Sequence, residues 1–106
     1  MNVNEWGVLF RFSTGFDLSG FSALSITFTK PDGTTFTRTN PDVTAPNADV
    51  ITTDGLFPAN TYAQYTFQSG EVDQAGKWCA YVTYDDATPQ HLISDVAHFT
   101  INANSC

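Results

Sequence analysis

"QSGEVDQAGKWCAYVTYDD" occupies residues 68–86. A polar, acidic loop runs as far as Gly76, and a strand pattern then begins abruptly at Lys77 and Trp78. Trp78, Ala80, Val82 and Tyr84 share one parity, while Cys79 and Tyr81 take the other. Successive side chains of a strand point to opposite faces, so the stretch predicts a strand with one buried and one wet face. Three settings would accept it: a catalytic centre built on Cys79, half of a disulfide, or the middle of a sandwich.

The same period recurs along the chain. Trp6, Val8, Phe10 and Phe12 share a parity, as do Leu24, Ile26 and Phe28; Ala63, Tyr65 and Phe67; and Ala97, Phe99 and Ile101. Each run pairs an apolar parity with a largely polar one, as antiparallel sheets with one solvated face require. On this basis Trp6, Phe28, Tyr65, Phe67, Trp78 and Phe99 belong to the core. Tyr81 and the loop-proximal Phe16, Phe21, Phe57 and Tyr62 are the aromatics expected outside it. "TKPDGTTF" (29–36) reads as a three-residue hairpin, with Pro31 presetting the turn and Gly33 taking the positive φ that closes it. "DDATPQ" (85–90) separates the last two strands, and "NPDVTAPNAD" (40–49) reads as a loop or irregular edge crossing. No window keeps apolar residues at helical spacing for three turns. About seven short, turn-separated strands predict an all-β, two-sheet antiparallel sandwich of immunoglobulin-like type. It would be a single domain over 1–106, with its core over about 6–101.

Composition narrows the function classes. With 106 residues there is room for one core, and 42% hydrophobic residues suffice to fill it. Eleven acidic residues against four basic ones give a net charge of −7, and Arg11, Lys30, Arg38 and Lys77 are scattered. Nucleic acid and anionic membrane both call for clustered cations, so neither is an expected partner. The N-terminus has no basic flank or apolar run of signal-peptide type, and no stretch of about 18 apolar residues could span a bilayer. Synthesis in a cytoplasm is expected.

Candidate chemistry is sparse. On one continuous strand His91 and Asp95 have odd parity and His98 even, so the two imidazoles would point to opposite faces; only a bulge near Ser94 would reverse this. Solvated strand histidines are the expectation. Ser94 lies outside any Gly-x-Ser-x-Gly elbow, and Glu71/Asp73 and Asp85/Asp86 lack the spacing of a calcium loop. Cys79 has no partner on an earlier strand, because the other cysteine is the terminal Cys106. Both cysteines are expected to be reduced. No catalytic, cofactor or metal site is expected, and no enzyme activity.

With strands and turns in place, "STGFDLSGFSALSITFTKPDGTTFT" (13–37) followed by "YTFQSGEVDQAGKWCAYVTYDD" (65–86) resembles the small immunoglobulin-like domains of tailed-bacteriophage virion proteins. Among these the N-terminal domain of baseplate upper proteins is notably similar. The matching residues are Gly15, Asp17, Leu18, Lys30, Pro31, Asp32, Gly33, Gly70, Ala75, Gly76, Trp78, Ala80 and Val82, within a resemblance over about residues 6–101. In that family the domain usually heads a longer chain. The resemblance implies a non-enzymatic structural protein of a phage virion, made in the host bacterial cytoplasm. A tail or baseplate adaptor, a minor tail component and a capsid decoration protein are the roles it leaves open; it carries over no catalytic residues.

Partners are then expected to be other virion proteins, with the chain working as a homo-oligomer or docked subunit. Sandwich edges can pair with another chain unless blunted, and only two lysines are present to blunt them. "WGVLFRF" (6–12) is apolar on both parities, so Leu9 is expected to be covered on both sides, either by a neighbouring subunit or by the domain's own loop around Phe16 and Phe21. Leu9, Cys79 and Tyr81 are the candidate interface residues. The alternative, a carbohydrate-binding module for a cell-surface glycan, would require an exposed row of coplanar aromatics.

Overall fold

The computed structural model describes residues 2–52, 55–86 and 90–103. Among these the chain is all-β, without helix. Its strands are β1 (Leu9–Ser13), β2 (Phe21–Thr29), β3 (Thr35–Thr39), β4 (Val50–Thr52), β5 (Gly55–Phe57), β6 (Tyr62–Thr66), β7 (Gly76–Asp86), β8 (Gln90–Ile93) and β9 (Ala97–Ile101). All strand pairs are antiparallel. One sheet has five strands in the order β3-β2-β7, with β8 and β9 lying end to end along the far edge of β7. β1 pairs with β6, whose other edge is met by an isolated bridge from Thr44 to Gln64. β4 and β5 form a separate short hairpin.

The alternating residues put the core where period two predicts it. Leu24, Ile26 and Phe28 of β2 lie opposite Tyr84, Val82 and Ala80 of β7, and all six are buried. From the β1–β6 pair, Phe10 brings its ring to 5.3 Å from Phe28 and 5.0 Å from Phe99, while Tyr65 stands 5.9 Å from Phe28. The inward faces of the pair and of the five-stranded sheet therefore share one buried cluster. Each fully buried large apolar side chain there contributes about 1.5–3 kcal/mol.

Two motifs distant in sequence meet at one end of the five-stranded sheet. Gly33 (φ +90°) donates its N–H to Lys30 C=O at 2.9 Å, and Lys30 N–H donates to Thr34 C=O, closing the three-residue hairpin between β2 and β3. The "DQAGKW" segment docks onto this turn. Lys30 Nζ pairs with Asp73 at 2.8 Å, Gln74 Nε2 donates to Asp32 Oδ2 at 2.8 Å, and Asp32 N–H donates back to Gln74 Oε1 at 3.3 Å. Trp78 then enters the core with Nε1–H donating to Gln74 C=O at 3.0 Å. The strand begins abruptly because its entry loop is clamped to a neighbouring turn.

Several expectations are corrected. Trp6 is 67% exposed instead of buried. Positive φ at Asn4 (+69°) and Gly7 (+75°) turns the chain before β1, so Trp6 lies outside the ladder whose parity it shares. Tyr62 is fully buried: its ring meets Phe57 at 5.5 Å and its Oη donates to Ala48 C=O at 3.0 Å, so parts of the chain preceding β6 cover it. Phe16 and Phe21 pack against the core instead of standing outside it. Among the described residues there are nine strands against an expected seven or so; β4 and β5 follow the 40–49 loop, in a stretch to which the period-two reading assigns no strand. Residues 87–89 of the "DDATPQ" turn lie outside the described residues.

Candidate functional site

The histidines are brought to the same face, contrary to the parity argument. His91 lies opposite Asp85 and His98 opposite Cys79, and both partners are on the outward parity of β7. The reversal occurs at Ser94. Leu92 faces Tyr84 but Ala97 faces Ala80, so five steps of the β8–β9 edge match four steps of β7. Ser94 fills the break: its N–H donates to Val82 C=O at 2.9 Å, and its Oγ accepts the Val82 N–H at 2.8 Å in place of a backbone carbonyl. The bulge re-aims His98 but leaves the imidazoles six residues apart along β7. His91 Nδ1 meets Asp85 Oδ1 at 2.5 Å on an open surface. Among the described residues no three His, Cys, Asp or Glu side chains converge on a point that could hold a metal.

A partly buried charged cluster among the described residues has a structural assignment. Glu71, nearly buried, accepts from Arg38 Nε at 2.8 Å, from Tyr65 Oη at 2.7 and 2.8 Å, and from Gln68 N–H at 2.5 Å. Burial first, and the Glu71 hydrogen bond second, push the Tyr65 phenol up to about 12. Burial would lower the Arg38 guanidinium, but its hydrogen bonds to Tyr65 and Glu71 hold it above its ordinary value. Every member is matched within the cluster, which ties the 68–71 turn to β3 and β6 and leaves no reactive group over.

What remains open is an edge. Phe67 N–H donates to Val8 C=O and Thr14 N–H to Thr61 C=O, each at 3.0 Å, so even-numbered positions of β1 face β6. By the alternation of an antiparallel ladder, the backbone groups of Leu9, Arg11 and Ser13 face the other way. Among the described residues no strand pairs with that edge. Beside it, Leu9, Thr52 and Phe57 border a groove of about 310 Å³. The β4–β5 hairpin that supplies this wall presents Ile51 and Leu56, a cross-strand pair 82% and 57% exposed.

The three candidate interface residues do not form one surface. Leu9, 36% exposed, lies by the β1 edge; its neighbours are the β4–β5 hairpin, while Phe16 packs on Tyr84. Cys79 and Tyr81 are half-buried on the outer face of central strand β7, opposite Thr29 and Thr27. Cys106 lies outside the described residues. Ile51 and Leu56 were not anticipated, although Asp54–Gly55 between "VIT" and "LF" is a hairpin signal in the sequence. Comparison with models of protein families, with curated proteins and with solved structures finds no match to this chain.

Proposed function

We propose that this chain is a non-enzymatic structural protein of a phage virion, an immunoglobulin-like two-sheet sandwich whose work is protein–protein assembly. A tail or baseplate adaptor, or a minor tail component, is the role in view. The observation that carries the assembly reading is the β1 edge, which no strand among the described residues pairs, beside the exposed Ile51–Leu56 pair. Free N–H and C=O groups next to apolar side chains are what another chain pairs with, and monomeric proteins ordinarily protect such edges. The virion setting rests on the sequence resemblance alone.

A glycan-binding platform has less support. It needs stacked exposed aromatics, whereas among the described residues Trp6 is the only aromatic that is exposed, and Tyr81 is half-buried. The test is to measure the solution mass of the purified chain and to ask by mass spectrometry whether it is present in particles from the host that makes it. An oligomer, or stoichiometric incorporation, is expected. A strict monomer that never enters a larger assembly would overturn the reading.

A further inference from the structure

A second groove, of about 540 Å³, runs between the free edge of β1 and the β9 side of the five-stranded sheet. Its apolar lining includes Phe10, Phe12 and Phe99, and its polar lining includes Arg11, Asp95 and His98. Among the described residues, both walls carry backbone that no strand pairs. On β1 these are the N–H and C=O groups of Leu9, Arg11 and Ser13, as shown above. On β9, Val3 N–H donates to Asn102 C=O at 2.9 Å, so even-numbered positions face away from β7. The backbone of His98 therefore also opens towards this side.

Arg11 marks the groove. Lys30 and Arg38 each have a carboxylate partner, but among the described residues Arg11 has none, and its buried Nε has no hydrogen-bond partner. A buried guanidinium N–H left unmatched is costly, and the planar fork fits a carboxylate. Arg11 contributes to the 310 Å³ groove as well, so the residue borders both depressions at the β1 edge.

We propose that this groove receives an extended segment of a partner protein, added as a strand along the β1 edge, with apolar side chains at alternate positions and a carboxylate that meets Arg11. This deepens the assembly reading and rests on it. A second copy fits less well: antiparallel β1–β1 pairing centred on Arg11 would set two guanidiniums opposite each other, and the chain's charge of −7 adds self-repulsion.

The experiment is a selection of displayed random octapeptides against the full chain, followed by affinity measurements with the selected peptides. Selected sequences should alternate apolar residues and carry an aspartate or glutamate. Arg11→Met should weaken them about ten- to a hundredfold. Ser13→Pro, which removes an outward N–H at an edge position that tolerates proline, should weaken them comparably. Both variants are checked by thermal melting first; if either unfolds, amide hydrogen exchange of Leu9, Arg11 and Ser13 with and without peptide replaces it, with slowed exchange expected. No enrichment, peptides without a carboxylate that bind the Arg11 variant equally, or protection elsewhere on the chain would overturn the proposal, as would self-association through this edge. Particle incorporation of the Ser13 variant separates the two readings. Normal incorporation sinks the groove and leaves assembly standing; absence of even the unaltered chain from particles sinks the assembly reading.

Discussion

Gly76 and Pro31 are in contact across 45 residues of sequence: a Cβ at Gly76 would lie 3.0 Å from Pro31 Cγ, and Gly76 holds φ +129°. Proline makes the hairpin turn, and glycine lets β7 start flush against it. Gly76→Ala combines a strained backbone with a clash, and is expected to cost about 2–4 kcal/mol in denaturant melts. Gly7→Ala, at φ +75° with nothing within 4 Å of the added carbon, is the control and should cost about 1–2 kcal/mol. Equal losses would show that Pro31 contributes nothing.

Ser94→Ala should be more damaging than a small polar-to-apolar change suggests. It leaves the Val82 N–H without the hydroxyl that accepts it inside the sheet. A loss of about 1–3 kcal/mol is expected, with faster amide exchange at Val82. Ser94→Thr keeps the acceptor and should recover most of it.

Alkaline titration should expose the Tyr65–Glu71 pair. The folded-state pKa of Tyr65 is raised to about 12, above the ordinary phenol value of 10.0. The neutral phenol is thus favoured by folding. This contribution is fully present below about pH 10 and is lost as pH rises towards 12, by roughly 2 kcal/mol in all. Melts of the natural chain should fall more steeply over that window than melts of Tyr65→Phe.

Trp78→Ala removes a fully buried ring with a satisfied Nε1–H. The expected cost is about 3–5 kcal/mol, a large share of the roughly 5–15 kcal/mol by which domains of this size are stable. Chemical denaturation monitored by far-ultraviolet circular dichroism is the measurement. A loss under about 1 kcal/mol would contradict the burial.

Replacing His91 and His98 together should leave the fold intact and change stability by less than about 1 kcal/mol. His91 is exposed in an open pair with Asp85, and His98 lies on the outer face of β9. Thermal melting of the double variant at pH 7 checks it. A larger loss would show a role for the re-aimed face that the present contacts do not contain.

What the sequence by itself determined is what neighbouring residues decide together. Leu24–Ile26–Phe28 and Trp78–Ala80–Val82–Tyr84 must bury one face because a strand alternates, and Pro31-Asp32-Gly33 must turn because of fixed φ and a missing Cβ. The tertiary structure decided whatever depends on a distant partner. Tyr62 is buried against its apparent parity because Ala48 and Phe57 lie over it, and Trp6 is exposed because the chain turns at Gly7 before joining β6. His91 and His98 share a face because Ser94 takes up one residue against Val82. The open β1 edge and the unmatched Arg11 likewise belong to no local pattern: an edge exists only once every other strand has found its neighbour, and a single strand carries no record of which side stays unpaired.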